Sequence, residues 1–245
     1  MTNDDGVEAQ GIQVLSKSLA ALPGIEVIVV APEREQSSTS HSLTLHRPLR
    51  IIKKKKNVYA VDGTPTDSVF IGVSVICKDR RPDYIFSGIN RGGNLGDDIH
   101  YSGTVSAAVE GGLMGIPAVA VSQLGRDHFD YTQAGRFVQK LFKQLRKTKL
   151  PQGIILNVNV PAEAKSLDYE VTLTGKRDYG NLYEEKVDPR GRPYYWIGGH
   201  QYKFFDIKGS DCNAIVAGKI SVTPICINMT SHSYLKEMKK WCKLK

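Results

Sequence analysis

The chain has 245 residues, 41% of them hydrophobic and 24% charged, with a formal net charge of +8. That length suits one large α/β domain, or a domain with an appendage, and the composition excludes a disordered chain. Much of the positive excess sits at residues 53–56 and 236–245, without interleaved aromatics at 53–56 and without an RNA-binding or finger motif, so it reads as solvated charge rather than a nucleic-acid groove. Four cysteines (Cys77, Cys212, Cys226, Cys242) stand far apart, with no Cys-x-x-Cys pair and no histidine at zinc spacing. They indicate neither a disulfide framework nor a zinc site, and a reducing cytoplasm fits them. No apolar run approaches the roughly 18 residues of a membrane span and no signal peptide precedes Asp4, so a soluble cytoplasmic protein is expected.

The first stretch with chemical content is Asn3-Asp4-Asp5-Gly6. Its residue types suit a solvated turn. Its two adjacent carboxylates, if partly buried, instead require a metal ion or a basic side chain between them, because like charges repel. A pair used for chemistry is expected at the carboxyl end of a strand, and only Met1 and Thr2 stand ahead of it, so residues before Met1 are expected to be missing. Residues 8–22 carry Ile12, Leu15, Leu19 and Leu22 at helical spacing and stop at Pro23-Gly24, while residues 25–31 form a β-branched run that predicts a strand covered on both faces. The succession predicts a right-handed parallel crossover. Residues 33–42 hold no apolar side chain and predict a loop at the sheet edge of the Asp pair. Residues 47–53 and 58–61 predict a hairpin with the lysine run at its tip. Thr64 as N-cap and Pro65 at the first position predict a helix start.

Residues 83–86 predict the next buried strand, which leads into a segment rich in glycine at 87–98. Gly88, Gly92, Gly93 and Gly96 let the backbone approach a ligand, and Asn90 and Asn94 offer oxygen to a cation or an amide N–H to a phosphate. The spacing matches neither the dinucleotide fingerprint nor a Walker loop. Tyr101-Ser102-Gly103-Thr104 opens a helix of small and apolar residues that closes at Gly115. That start is an ordinary Ser or Thr cap, or, placed after the glycine-rich loop, an anion site made of free N–H groups, hydroxyls and a positive dipole end. A strand at 117–122 and a helix at 131–146 follow, then strands at 154–160, 169–174 and 219–224 and a terminal helix at 232–241. Between them, residues 176–199 form a charged hairpin with Pro193-Tyr194-Tyr195-Trp196, too aromatic to bury against its own sheet and so predicted to pack on another subunit.

The expected architecture is a doubly wound, mostly parallel α/β sheet of Rossmann-like three-layer type over 1–245. Its core spans about 1–160 plus 214–224, with an assembly hairpin at about 176–200 and a C-terminal helix at about 230–245. Ligands of such sheets lie beyond the strand carboxyl ends, where Asp4, Asp5, Ser37, Asn90 and residues 102–104 are expected to meet. Two carboxylates, a hydroxyl and an amide oxygen suit Mg²⁺ or Mn²⁺ better than zinc or copper. A cation beside an anion-binding helix start points to metal-assisted phosphoester hydrolysis.

The ordered series Asn3-Asp4-Asp5-Gly6, Val30-Ala31-Pro32-Glu33-Arg34 through Ser37 to Ser42-Leu43-Thr44, Asp62-Gly63-Thr64-Pro65-Thr66-Asp67, Ser87-Gly88-Ile89-Asn90 with Asn94-Leu95-Gly96-Asp97-Asp98, and Tyr101-Ser102-Gly103-Thr104-Val105 closely resembles the SurE (survival protein E) family of 5'-nucleotidases. The resemblance extends to Tyr194-Tyr195-Trp196 and Ser221-Val222-Thr223-Pro224. It implies a divalent-metal-dependent phosphatase of nucleoside 5'-monophosphates, with 3'-monophosphates and short polyphosphate as further substrates. Carried over by motif, it implies one Mg²⁺ or Mn²⁺ held by Asp4, Asp5, Ser37 and Asn90, and a phosphate held by Asn94, Ser102, Gly103 and Thr104. It also implies a homodimer or homotetramer built by exchange of the hairpin and the C-terminal helix; the charge pattern and the lack of a long apolar run predict no stable nucleic-acid partner and no membrane.

Asp5 is the expected base, since a ligand carboxylate can share the proton of the attacking water; the acid for the leaving nucleoside stays open. Tyr101 is open between stacking on a base and packing. Thr39, His41 and Asn228 depart from the family pattern, and His232 reads as a surface or capping histidine. The alternative is a non-catalytic nucleotide or nucleic-acid sensor using the same anion pocket. Against it stands the Asp4-Asp5 pair, which repels phosphate unless a cation intervenes.

Overall fold

Alternation along two buried strands sets the layering of the molecule, which a computed structural model describes for residues 1–125, 129–178, 183–197 and 203–242. In β5 (Ala118–Gln123) and β6 (Ile154–Val160), the side chains of Val119, Val121, Leu156 and Val158 join one apolar cluster, and those of Ala118, Ala120 and Ile155 join another. Successive residues of a strand point to opposite faces, so each cluster is one face of the sheet. The first face is covered by α1 (Gln10–Ala20) and α4 (Thr132–Thr148) through Leu15, Leu19, Phe137, Val138 and Phe142. The second is covered by α2 (Pro65–Ile71) and α3 (Gly103–Leu113) through Val69, Val105, Ala107 and Ala108. This is the expected three-layer α/β arrangement.

One hydrogen-bonded ladder runs in the order β4 (Ile85–Arg91), β5, β6, β12 (Ile220–Cys226), β7 (Tyr169–Val171). Strands β4, β5 and β6 are parallel, whereas β12 is antiparallel to β6 and parallel to β7. A second ladder places β3 (Val58–Val61) between β1 (Val29–Pro32), its parallel partner, and β2 (Ile51–Lys55), its antiparallel one. The first residues of the chain join the two. Thr2 donates its N–H to the Phe86 carbonyl (3.0 Å) and accepts from the Gly88 N–H (2.9 Å), while the Val30 N–H donates to the Met1 carbonyl (2.9 Å). The backbone entering Asp4-Asp5 thus runs parallel to β4 and delivers the acidic pair to the carboxyl ends of the strands.

Several boundaries differ from the sequence reading. Strand β1 begins at Val29 rather than residue 25 because its pairing with β3 begins with Val29 opposite Val58. The hairpin tip is Lys56-Asn57, with Asn57 at φ 58°, so most of the lysine run lies in the exposed strand β2 instead of the turn, where its charge protects a sheet edge. Strand β4 continues through Arg91, with a register shift between Ser87 and Asn90, so the predicted loop starts later. A 3₁₀ turn (Gly96–His100) and the short helix α5 (Asp211–Val216) were not expected.

The predicted assembly hairpin consists of two small ladders. Strands β9 (Tyr183–Val187) and β10 (Pro193–Ile197) pair antiparallel and are exposed throughout, and β8 (Arg177–Asp178) pairs with β11 (Lys203–Phe204). Helix α6 (His232–Trp241) buries none of its residues. Residues 179–182 and 198–200 of the predicted hairpin and 243–245 of the predicted terminal helix lie outside the described residues. Among the described residues, no helix is long and apolar enough to cross a membrane.

Candidate functional site

Hydrogen bonds tie the separate predicted segments to the acidic pair. Asn3 donates its side-chain amide to the Gly6 carbonyl (2.9 Å), and Gly6 takes φ 99° with the Arg34 backbone so close that a Cβ would sit 3.2 Å from it. The tetrapeptide is therefore a turn, but a mostly buried one. The Gln36 N–H donates to the Asp4 carbonyl (2.7 Å), which brings the loop carrying Ser37 against the pair. The Arg91 N–H donates to Asp5 Oδ2 (3.0 Å), fixing the end of β4, where Asn90 lies. Thr104 donates its N–H to Asp4 Oδ2 (3.1 Å) and its hydroxyl to Asp4 Oδ1. Gly103 leaves room for this contact: a Cβ there would lie 3.0 Å from Asp4 Cβ and 3.1 Å from Pro65 Cγ.

The loop after Ser37 is anchored at several points. Ser40 donates its N–H to the Tyr101 carbonyl (3.2 Å) and its hydroxyl to the His100 carbonyl (3.0 Å), and His41 Nε2 is hydrogen-bonded to Glu110 (2.8 Å). Thr44 donates its N–H (2.9 Å) and hydroxyl (2.6 Å) to Asp67, whose carboxylate also accepts the Thr64 N–H (2.9 Å) in the capping box of α2. Ser37 itself is exposed and donates its hydroxyl to Glu35 (2.7 Å). Asn90 donates its amide to the Gly92 carbonyl (2.8 Å), and no donor among the described residues reaches its Oδ1.

The electrostatics follow from burial. Asp4 is 5% exposed, and burial, aided by the charge of Asp5 and opposed by the Thr104 hydroxyl, pushes its pKa up to about 6. Burial also raises Asp5, against the Arg91 N–H, with the charge of Glu35 raising it further and that of Arg91 lowering it. Among the described residues neither carboxylate forms an ion pair. Two carboxylates without an ion-pair partner among the described residues, and the Oδ1 of Asn90 one residue before the Arg91 N–H that binds Asp5, are hard oxygen donors of the kind that would suit Mg²⁺ or Mn²⁺. No group of three His, Cys, Asp or Glu among the described residues is placed to hold a metal, so a cation here would draw on neutral oxygens as well.

At the start of α3, Ser102 Oγ accepts the Val105 N–H (3.1 Å), so Ser102 is an N-cap, and Thr104 serves Asp4. Asn94 is 7% exposed and donates its side-chain amide to Ser122 Oγ (2.7 Å). The structure thus brings Asp4, Asp5, Asn90 and residues 102–104 to one sheet edge, with the Ser37 loop bonded onto it. Beside Asp5, the Arg91 guanidinium lies over Phe129 (5.3 Å), which stacks on Tyr131 (5.9 Å). Burial, with the charge of Asp5 second, raises Tyr131 to about 12.

Sequence reasoning missed the buried supports of the glycine-rich loop. Asn157 and Asn159 bond to Asn94, and Asp211 accepts the N–H groups of Gly96 (3.0 Å) and Gly175 (2.7 Å). The signal for the asparagines was present: in Ile-Ile-Leu-Asn-Val-Asn-Val, two amides alternate with apolar residues along a predicted strand.

A family model described as Survival protein SurE matches residues 1–181. A protein of Geotalea uraniireducens named 5'-nucleotidase SurE is 51% identical over 244 residues, covering 98% of this chain and 97% of that protein. Namesakes from Geobacter sulfurreducens and Myxococcus xanthus are 49% and 46% identical, each covering 98% of this chain and 92% of the relative. The crystal structure of the SurE protein from Aquifex aeolicus superposes with a TM-score of 0.88 at 38% identity, covering 98% of this chain and 97% of that one. On the match of sequence, fold and motif order together, the chain belongs to the SurE family.

Proposed function

We propose that the chain is a divalent-cation-dependent 5'-nucleotidase that hydrolyses nucleoside 5'-monophosphates to nucleoside and phosphate. The observation that carries this reading is the buried Asp4 carboxylate, set beside Asp5 without a cationic partner, at a strand edge shared with Asn90 and the start of α3. Asp4, Asp5, Ser37 and Asn90 would hold one Mg²⁺ or Mn²⁺. When bound, such an ion supplies Lewis acidity toward the phosphoryl group and lowers the pKa of water.

The remaining chemistry belongs to the chain. Asp5 is the base: its Oδ2 is held by the Arg91 N–H, and its other oxygen remains to accept the proton of the attacking water. Asn94 offers its second amide hydrogen to the phosphate, the first being used on Ser122. Ser102, Gly103 and Thr104 set the helix N-terminus against the developing negative charge, where its dipole is favourable. Thr104 also fixes the Asp4 carboxylate, which orients the cation ligand relative to the phosphate site.

The same reading includes 3'-monophosphates and short polyphosphate as secondary substrates and a cytoplasmic location. It also includes assembly into a homodimer or homotetramer through residues 176–200 and 230–245, attached to a single α/β core. The relatives named 5'-nucleotidase SurE support the nucleotide as substrate. Initial rates of phosphate release from nucleoside 5'-monophosphates, ribose 5-phosphate and an aryl phosphate, each with Mn²⁺, Mg²⁺ or EDTA, test it. Turnover abolished by EDTA, restored by the metal and fastest on nucleotides is expected. Turnover indifferent to chelation overturns the cation, and tight nucleotide or RNA binding without turnover overturns the enzyme in favour of a sensor.

A further inference from the structure

The segment from Arg91 to Leu95 contains two glycines and no regular structure beyond the end of β4, so it has little rigidity of its own. Its position is imposed from beneath. Asn159 forms a two-bond ring with the Asn94 peptide: the Asn94 N–H donates to Asn159 Oδ1 (2.8 Å), and Asn159 Nδ2 donates to the Asn94 carbonyl (3.0 Å). Asn157 Nδ2 adds a second bond to that carbonyl (2.9 Å), and the Asn94 side chain donates to Ser122 Oγ (2.7 Å). Asn157, Asn159 and Ser122 are fully buried on strands β6 and β5, on the face that is apolar at Ile155, Ala118 and Ala120. Burying amides on such a face is unfavourable unless they are bonded: Asn159 is bonded through both its oxygen and its nitrogen, Asn157 through its nitrogen while its buried Oδ1 has no partner among the described residues, and these bonds, with that of Ser122, all go to the one residue Asn94. Two residues on, the Gly96 N–H is held by the buried Asp211 (3.0 Å), so the loop is fixed at a second point.

We propose that Asn159 is a positioning residue for the phosphate site, acting through Asn94 with Asn157 and Ser122 in support. The inference rests on the reading above that Asn94 contacts phosphate. Both backbone polar atoms of Asn94 and one of its amide hydrogens are committed to the sheet, which leaves its second amide hydrogen in a single direction. The rigid β5–β6 pair, and not the loop, then sets where the phosphate is met.

Asn159→Asp tests this with the side-chain shape preserved. It keeps an acceptor for the Asn94 N–H and replaces the donor to the Asn94 carbonyl by an oxygen. Expected is a rise of about tenfold in both KM for a nucleoside 5'-monophosphate and the calorimetric Kd for inorganic phosphate, the scale of one hydrogen bond to a charged group. The kcat is expected to change by less than about threefold. Ser122→Ala is expected to shift KM and Kd in the same direction, and stands in should Asn159→Asp fail to fold. Tyr84→Phe removes a comparable bond, to the Leu145 carbonyl (2.8 Å), at the opposite end of the sheet; it is expected to lower the melting temperature without moving the phosphate Kd.

In an Asn94→Ala background, Asn159→Asp should add less than about twofold, because nothing remains to be positioned. Effects that multiply in the double variant overturn the inference. So does an unchanged phosphate Kd in Asn159→Asp or Ser122→Ala when Asn94→Ala weakens it. If Asn94→Ala leaves the Kd unchanged, the assignment of Asn94 to phosphate fails, and the inference fails with it.

Discussion

Burial raises the Asp4 carboxyl from 3.8 to about 6, so without a cation the folded chain holds a proton there more tightly than the unfolded chain does. A folded-state pKa above the unfolded one contributes stability that is fully present below the unfolded value and is lost as pH rises through the folded value. The window is therefore 3.8 to about 6, and the difference corresponds to about 3 kcal/mol. In EDTA, urea denaturation of the wild type is expected to lose stability across that window relative to Asp4→Asn, with the variant the more stable at neutral pH; parallel pH curves for the two proteins contradict this. Gly103→Ala is expected to destabilise by about 1–3 kcal/mol and to lower activity at least about tenfold, because its Cβ would press on Asp4 Cβ and Pro65 Cγ. Melting temperature and initial rate measure the two effects. Adjacent carboxylates are legible in a sequence because their conflict is local. That Thr104 turns its hydroxyl to Asp4, a hundred residues earlier, is not legible: it follows from sheet order, which no short motif encodes.

Among the elements, strands β3 and β6 keep their expected bounds, while β1 and β4, whose ends are set by where a partner strand offers backbone groups, do not. Helix α2 starts where Thr64, Pro65 and Asp67 place it, because a capping box needs only its own residues. Strand β4 continues past its predicted end because β5 offers partners as far as Gln123, and β1 begins late because β3 first offers one at Val58. Asp67 does more than cap: it also holds the N–H and hydroxyl of Thr44, at the end of the loop that carries Ser37. Thr64→Ala, which removes the cap and the hydroxyl's bond to the Ser42 carbonyl (2.7 Å), is expected to cost about 1–2 kcal/mol in denaturant unfolding. Asp67→Ala, which orphans the Thr44 groups as well, is expected to cost about 2–3 kcal/mol and to weaken Mn²⁺ binding through the loosened loop. Equal losses in the two variants, with metal affinity unchanged, contradict the anchoring role. Helix α1 meets β4 at Gly11, where a Cβ would lie 1.9 Å from the Ile89 carbonyl oxygen, so Gly11→Ala forces the two elements apart and is expected to lower the melting temperature sharply.

At the scale of the molecule, residues 1–2 join two ladders into one sheet, and the acidic pair leaves that seam at the edge where the other site segments converge. The three-layer order was legible because apolar periodicity switches between helical and strand spacing along the chain. The antiparallel direction of β12 and the short helix α5 were not, since β12 is as buried over Ile220–Thr223 as the parallel strands and α5 spans only six residues. Tyr195 and Trp196 are 57% and 60% exposed on the β9–β10 ladder, and α6 buries nothing, which supports the proposed assembly surface. Replacing both with serine is expected to lower the sedimentation mass toward that of a single chain, and an unchanged mass contradicts that surface. The most direct test of the central claim is an anomalous-scattering map from crystals soaked in Mn²⁺. One peak per chain, about 2.1 Å from oxygens of Asp4, Asp5 and Asn90, is the predicted result. A map with no peak between those residues, in crystals of protein that hydrolyses nucleotides with Mn²⁺ present, would contradict it.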